Sequence, residues 1–391
     1  MRSGVKYCEL SSVCTSITDG SHFSPKEDPE GLIPMLSVKD MTADGFDYSS
    51  CKCICESDYR VLVSNGCRPS VGDVLVAKDG SYLKTAFVQK EDKEQALLSS
   101  IAILTPKTDI ILPEYLAFFF KAPHTKATVE RHYLTGTAIK RVILKGFKVI
   151  KAPVPPLSEQ KRIVAELDLL QSIIDKQKAQ LKELDTLAQA TFYDMFGDPV
   201  QNEKGLEINR LGDVLRTTSG GTPSKEHPEY YEKGTIPWVN SGDLHQMYIY
   251  DVPKHITQLG VDNSSAKLFP VDTVLVAMYG ATVGETSILK IESTTNQAVC
   301  GLFPSKHYLP TFLYCVLKYS QSFFIDRASG GAQPNISQGI IKDFNLITPS
   351  IKEQKAFAAK IEAIEQQKAL INQSIAETQK LFDYTMDKYF G

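Results

Sequence analysis

The chain is written twice, and that duplication constrains its fold more than any other feature. Val71-Gly72-Asp73-Val74-Leu75-Val76-Ala77-Lys78-Asp79-Gly80 matches Val271-Asp272-Thr273-Val274-Leu275-Val276-Ala277-Met278-Tyr279-Gly280 at an offset of 200, with six of ten positions identical. Four shorter matches follow the same order: Ile33-Pro34 with Ile236-Pro237, Leu112-Pro113 with Leu309-Pro310, Glu159-Gln160-Lys161 with Glu353-Gln354-Lys355, and Phe196-Gly197 with Phe390-Gly391. The offset drifts from 203 to 194 along the chain. A period this long means a duplicated module and excludes a solenoid of short repeats.

Each copy has two unlike parts. The first holds short apolar runs (Val61-Leu62-Val63, Val74-Leu75-Val76-Ala77, Ile101-Ala102-Ile103-Leu104) between Gly, Pro and Asp. Such runs read as strands. Pro113 to Lys121 and Pro310 to Tyr319 read as short helices with proline in the first turn. Together they predict a compact α+β domain.

The second part is a long helix. Ser158 to Phe196 contains neither Pro nor Gly. Ser158 reads as the N-cap, and Gly197 and Pro199 end the helix. Ile163, Leu167, Leu170, Ile174, Gln177, Leu181, Leu184, Ala188, Thr191 and Met195 alternate steps of four and three, a heptad rhythm. The same positions plus 194 give Phe357, Ile361, Ile364, Lys368, Ile371, Ile375, Thr378, Phe382, Thr385 and Tyr389. A lone helix of about 39 residues, ~58 Å long, would expose its stripe. The connectivity therefore predicts that the two helices pair as an antiparallel coiled coil, the alternative being that each packs on its own globular domain, though a globular helix rarely exceeds about 25 residues. The predicted domains are 1–157, 158–197, 198–350 and 351–391.

Composition narrows the function. With 391 residues, 42% apolar and 23% charged, the chain is an ordinary globular protein of two or three domains. No apolar run approaches the ~20 residues of a membrane span, and Met1 to Leu10 lacks a signal-peptide apolar region. A cytoplasmic location with no membrane partner is expected. Cys51, Cys53 and Cys55 read as small residues on one strand face; no Cys/His pair completes a tetrahedral set, so no metal is expected. No G-x-x-x-x-G-K-[ST], G-x-G-x-x-G or G-x-S-x-G is present, nor an Asn-Pro-Pro-aromatic tetrad. Glu91-Asp92-Lys93 lies in a run of charges that reads as a solvated turn. Trp238 reads as core.

Four strings carry a family resemblance. They are Pro156-Leu157-Ser158-Glu159-Gln160-Lys161-Arg162-Ile163-Val164 with its echo Ile351-Lys352-Glu353-Gln354-Lys355, and Phe192-Tyr193-Asp194-Met195-Phe196-Gly197-Asp198. The third is Ser219-Gly220-Gly221-Thr222-Pro223-Ser224-Lys225 leading to Gly234-Thr235-Ile236-Pro237-Trp238-Val239. The fourth is Ile17-Thr18-Asp19-Gly20-Ser21-His22-Phe23 leading to Gly31-Leu32-Ile33-Pro34. In this order, over essentially the whole chain, they resemble the specificity subunits of type I restriction-modification enzymes. The resemblance implies a non-catalytic reader of double-stranded DNA. Two target-recognition domains would each read half of a bipartite site, and the paired helices would set the spacer and dock two methyltransferase subunits. Those partners would use S-adenosylmethionine, and restriction/translocase subunits would use ATP and Mg; this chain would bind no cofactor itself.

Three inferences sharpen that expectation. The helices align without a gap while the globular parts share only scattered blocks. Similar docks with dissimilar readers predict an asymmetric target. The regional net charges are +2, −2, −3 and 0 in the four predicted segments, so unaided DNA binding should be weak. A ~58 Å helix bounds the reach at roughly 17 base pairs. The candidate readers lie on Gly-containing loops that let backbone approach DNA: Lys78, Ser81, Tyr82, Thr137, Lys140 and Arg141 in the first domain, and Tyr279, Thr282, Gln333 and Asn335 in the second. Glu159, Gln160, Lys161, Glu353, Gln354 and Lys355 are the candidate partner contacts. His22 and His132 read as loop residues with a weaker case for a base or phosphate contact. An adaptor that binds only proteins, or an enzyme lacking the usual motifs, are the rival classes.

Overall fold

In both copies a strand of four small apolar residues, Val74–Ala77 and Val274–Ala277, lies at the centre of a sheet with every side chain buried. Its alternate faces feed two cores, which is why the run is continuously apolar rather than alternating. The computed structural model describes residues 5–80, 82–136, 140–331 and 333–391. They form two compact units: Met1–Lys178 with Gln373–Gly391, and Ala179–Asn372.

In the first unit the sheet order is Cys14–Asp19, Ile101–Pro106, Val74–Ala77, Ala86–Val88, antiparallel throughout. A smaller sheet places Ile33–Leu36 between Lys52–Ile54 and Ala96–Leu97. The second unit repeats both. Thr217–Ser219, Val299–Leu302, Val274–Ala277 and Thr286–Leu289 are neighbours in that order, and Tyr248–Ile249 adds a parallel edge strand. Its smaller sheet places Ile236–Val239 between His255–Ile256 and Thr294–Thr295. Trp238 is buried there and donates its ring N–H to the Gly221 carbonyl.

Two readings are corrected. Val61-Leu62-Val63 is helical, within Glu56–Ser64. Leu62 shares the buried face with Tyr59, three residues earlier, while Val61 and Val63 point to solvent. A three-residue apolar run carries no period, so spacing alone could not separate strand from helix. Cys51, Cys53 and Cys55 do not share one strand either: the strand is Lys52–Ile54, and Cys55 is the N-cap of the following helix.

The central helix, Leu157–Phe196, and the C-terminal helix, Ile351–Phe390, have 40 residues each, about 60 Å. They run antiparallel. In the first unit Arg162 meets Tyr389 (3.0 Å) and Gln177 donates to Ser374 (2.6 Å). In the second, Lys368 reaches Asp185 (2.8 Å), and the Phe357 ring packs on Phe192 and Phe196 at 5.5 and 5.3 Å. The stripes also complete the globular cores. Ile163, Leu167, Met386, Tyr389 and Phe390 join the first core, and Leu184, Ala188, Phe192, Phe196, Phe357 and Ile361 join the second. Each fully buried side chain of this size contributes about 1.5–3 kcal/mol, so neither long helix depends on propensity alone. Among the described residues no helix is long and apolar enough to cross a membrane.

Candidate nucleic-acid interface

The fold brings together, in each unit, the two loops that the sequence offers as readers. In the first unit the Gly80 N–H donates to the Lys140 carbonyl (2.9 Å) and the Val142 N–H to the Lys78 carbonyl (3.0 Å), with Asp79 bridged to Arg141. In the second the Gly280 N–H donates to the Pro334 carbonyl and the Ile336 N–H to the Met278 carbonyl, both at 2.8 Å, with Tyr279 bridged to Asn335. The two constructions correspond bond for bond. Gly80 and Gly280 both have positive φ, 62° and 74°, and a Cβ at either would meet nothing within 4 Å. Glycine is there for the left-handed turn, and the turn faces open space.

The side chains on this shared backbone differ. Lys140 and Arg141 are exposed, and Tyr82 donates its hydroxyl to Glu130 (3.1 Å). In the second unit Tyr279 is 44% exposed. Gln333 and Asn335 are also exposed, and with Tyr279, Gly280 and Pro334 they line a cleft of about 390 Å³. Thr282 donates to the Tyr279 carbonyl (3.1 Å) and shapes the turn. Asn335 and Ser329 exchange backbone hydrogen bonds (2.7 and 2.9 Å) across Gly330 and Gly331, which stiffens the second loop. Ser81 and Thr137 lie outside the described residues.

Lys78 requires a correction. It is 5% exposed, and its ammonium sits 2.9 Å from Asp19 and 3.7 Å from Asp79. An ammonium so enclosed cannot reach a phosphate or a base edge. His132 is likewise not in a loop: it is the last residue of the helix Pro123–His132.

The starts of the two long helices hold the largest departure from expectation. Gln160 and Gln354 are wholly buried. The Gln160 side-chain oxygen accepts from the Leu112 N–H (2.8 Å), and its amide donates to the carbonyls of Ile110 (2.9 Å) and Pro155 (2.8 Å). Gln354 repeats the clamp on the Leu309 N–H (2.9 Å) and the carbonyls of His307 and Pro349 (both 3.0 Å). With those groups engaged, neither glutamine can be a partner contact. They fasten each long helix to the loop before the helices Pro113–Lys121 and Pro310–Tyr319. The repeated Glu-Gln-Lys pointed to an equivalent role in both copies; what it could not show is that the middle residue faces inward.

The flanking residues do reach the surface. Lys161, Lys355 and Glu353 are exposed and Glu159 is half-buried, paired with Arg162 at 2.7 Å. Glu353 closes a capping box with Ser350, accepting from its N–H (2.9 Å) and hydroxyl (2.6 Å). Those bonds hold its carboxyl below the usual glutamate range. The central helix starts at Leu157, and the Pro156 carbonyl takes the first amides. Ser158 is therefore inside the helix and not its cap. Among the described residues no group of three or more His, Cys, Asp or Glu side chains could hold a metal ion.

The specificity subunit of type I restriction enzyme EcoR124I/EcoR124II from Escherichia coli is 25% identical over 270 residues, 64% of this chain and 66% of that protein. The chain thus spans a little under two thirds of that relative. The MjaIX specificity subunit of Methanocaldococcus jannaschii is 24% identical over 352 residues, 82% of this chain and 77% of that one. The HindI specificity subunit of Haemophilus influenzae is 30% identical over 165 residues, 41% and 36%. Two solved structures share the fold. One is from a study of assembly and conformational transition in a type I restriction-modification system (TM-score 0.59, 20% identity). The other is the specificity subunit from M. genitalium (TM-score 0.56, 15% identity). Each comparison covers 100% of this chain and 98% of the other. The model of the type I restriction modification DNA specificity domain matches residues 2–186 and then 203–380. Matched once in each half of its duplication, the chain belongs to the type I restriction-modification DNA specificity family.

Proposed function

We propose that this chain is the non-catalytic DNA-reading subunit of a type I restriction-modification complex. Residues 1–157 and 198–350 are assigned as readers, 158–197 and 351–391 as spacer helices. Lys140, Arg141 and Tyr82 address one half-site; Tyr279, Gln333 and Asn335 address the other, with Thr282 shaping their turn. Lys161, Lys355, Glu159 and Glu353 belong to two docks for two copies of a methyltransferase subunit.

One observation carries the reading: the same hydrogen-bonded loop pair is built twice and dressed with different side chains, while the helix starts are clamped twice in the same way. Arg and Lys favour guanine edges; Asn and Gln favour adenine. Unlike dressings on like scaffolds suit an asymmetric bipartite site, and like docks suit two copies of one partner. S-adenosylmethionine, ATP and Mg are assigned to the partner subunits, including a restriction/translocase subunit.

The test is an anisotropy titration with the bipartite motif taken from a genomic methylation map. The chain assembled with its methyltransferase partner is expected to bind that duplex selectively, and to lose selectivity when either half is substituted. The chain alone is expected to bind weakly at physiological salt, since its net charge is −3 and phosphate neutralisation dominates affinity. Equal binding of all duplexes by the assembled complex would reject the proposal.

A further inference from the structure

A third segment abuts the loop pair of the first unit. The strand Cys14–Asp19 ends with Asp19 opposite Ala102. The chain then turns through Gly20, where a Cβ would lie 2.2 Å from the Leu97 carbonyl oxygen. Only glycine fits so close a backbone approach. Ser21 donates its N–H to Leu97 (2.7 Å) and accepts from the Ser99 N–H (2.9 Å). Its hydroxyl closes a turn on Phe23, donating to the carbonyl (2.7 Å) and accepting from the N–H (3.1 Å). His22 therefore rides on a pinned backbone, yet its side chain is 78% exposed.

Asp19 is the hub. Its side chain is 9% exposed, and one carboxylate oxygen lies 2.9 Å from the Lys78 ammonium and 3.5 Å from the His22 ring. The Lys78 carbonyl receives Val142, and Asp79 is bridged to Arg141. A single carboxylate thus ties the 20–23 turn to both candidate reading loops.

The second unit has the same backbone without these charges. Ser219 stands opposite Cys300 as Asp19 stands opposite Ala102. Met278 donates its N–H to Ala298 as Lys78 does to Ser100. Met278 is buried, so the fold is satisfied by an apolar side chain here. A buried ion pair is weak evidence for stability, and apolar replacements are often neutral or better. Its presence in one unit alone asks for another reason.

We propose that Asp19 is a positioning residue for recognition by the first unit: through its contacts with His22 and Lys78 it ties His22 to the loop pair that carries Lys140 and Arg141, as a further base-contacting side chain. The first unit then reads with three segments and the second with two. This rests on the DNA-reading function proposed above.

The test uses the full chain assembled with its methyltransferase partner and measures two discrimination ratios. Each is the affinity for the intact bipartite duplex over that for a duplex substituted in one half. The half belonging to the first unit is the one whose ratio falls in the K140A/R141A variant. His22→Ala, an exposed change, is expected to lower that ratio roughly tenfold, leaving the other ratio and the melting temperature unchanged. The double variant Asp19→Ser with Lys78→Met grafts the second unit's residues. It is expected to melt within a few degrees of wild type and to show the same selective loss. Both variants retaining the wild-type ratio, or losing both ratios alike, would overturn the proposal. A wild-type complex with no discrimination at either half would instead reject the DNA-reading function itself.

Discussion

Gln160 and Gln354 show how much one side chain carries in this chain. Each buried side chain satisfies one backbone amide and two backbone carbonyls. Gln160→Ala is expected to destabilise the first unit by roughly 2–4 kcal/mol: an unmade buried hydrogen bond costs about 1–3 kcal/mol, and two of the three lost here are only part-buried and cost less. Gln160→Glu should be worse, because it loses the same two donors and also buries a carboxylate against the Ile110 and Pro155 carbonyl oxygens. Denaturant melts check both. A residue that merely touched a partner would leave the melt unchanged and weaken assembly.

The buried cysteines supply a pH-dependent counterpart. Burial pushes the thiols of Cys14, Cys300 and Cys315 up to about 12, from an ordinary value of 9.0. The folded state thus favours the neutral thiol more than the unfolded state does. That contribution is complete below about pH 9 and is lost as pH climbs from there towards 12. Urea midpoints should fall between pH 9 and pH 11, and replacing Cys300 and Cys315 with Ala or Val should flatten the decline. A decline that stays as steep in those variants would assign the alkaline loss to other groups.

At the scale of the element, the heptad rhythm foretold the helices and their pairing but not the whole stripe. Ile163, Leu167, Ile174, Leu184 and Ala188 are buried as the spacing requires. Beyond Ala188 the buried positions are Phe192 and Phe196, while Thr191 and Met195 are half-buried. A straight helix drifts from a strict seven-residue repeat, and here the drift turns the stripe onto Phe312 of the globular core. The polar seam residues also find partners: Gln177 with Ser374, and Lys368 with Asp185 and Glu365. Polar pairs at seam positions fix register at some cost in stability. One heptad added within residues 164–190, with a matching heptad in the C-terminal helix, adds about 10 Å of helix. It is expected to lengthen the unread spacer of the target by about three base pairs, as read by methylation mapping. An unchanged spacer in a variant that still assembles would remove the ruler role.

At the scale of the whole molecule, the two units have separate cores and separate loop pairs. Changes at the two readers should therefore act independently. The K140A/R141A and Q333A/N335A variants are each expected to lower discrimination at one half-site only. Their combination should give the product of the two losses within about twofold, the additivity expected of sites that share no partners. A combined loss far from that product, in competition titrations on singly and doubly substituted duplexes, would mean that the readers are coupled.

The sequence by itself determined the duplication, the α+β character of each globular part, the two long helices and the loops proposed as readers. All of these are written in local signals: apolar runs, proline and glycine placement, and seven-residue spacing. Only the tertiary structure decided which polar residues face inward. Lys78 and Gln160 look like surface residues in the sequence, because nothing local records a carboxylate 59 positions earlier or a carbonyl 50 positions earlier in the chain. Whether a charge or an amide meets water or a buried partner depends on contacts that exist only after the chain has closed on itself.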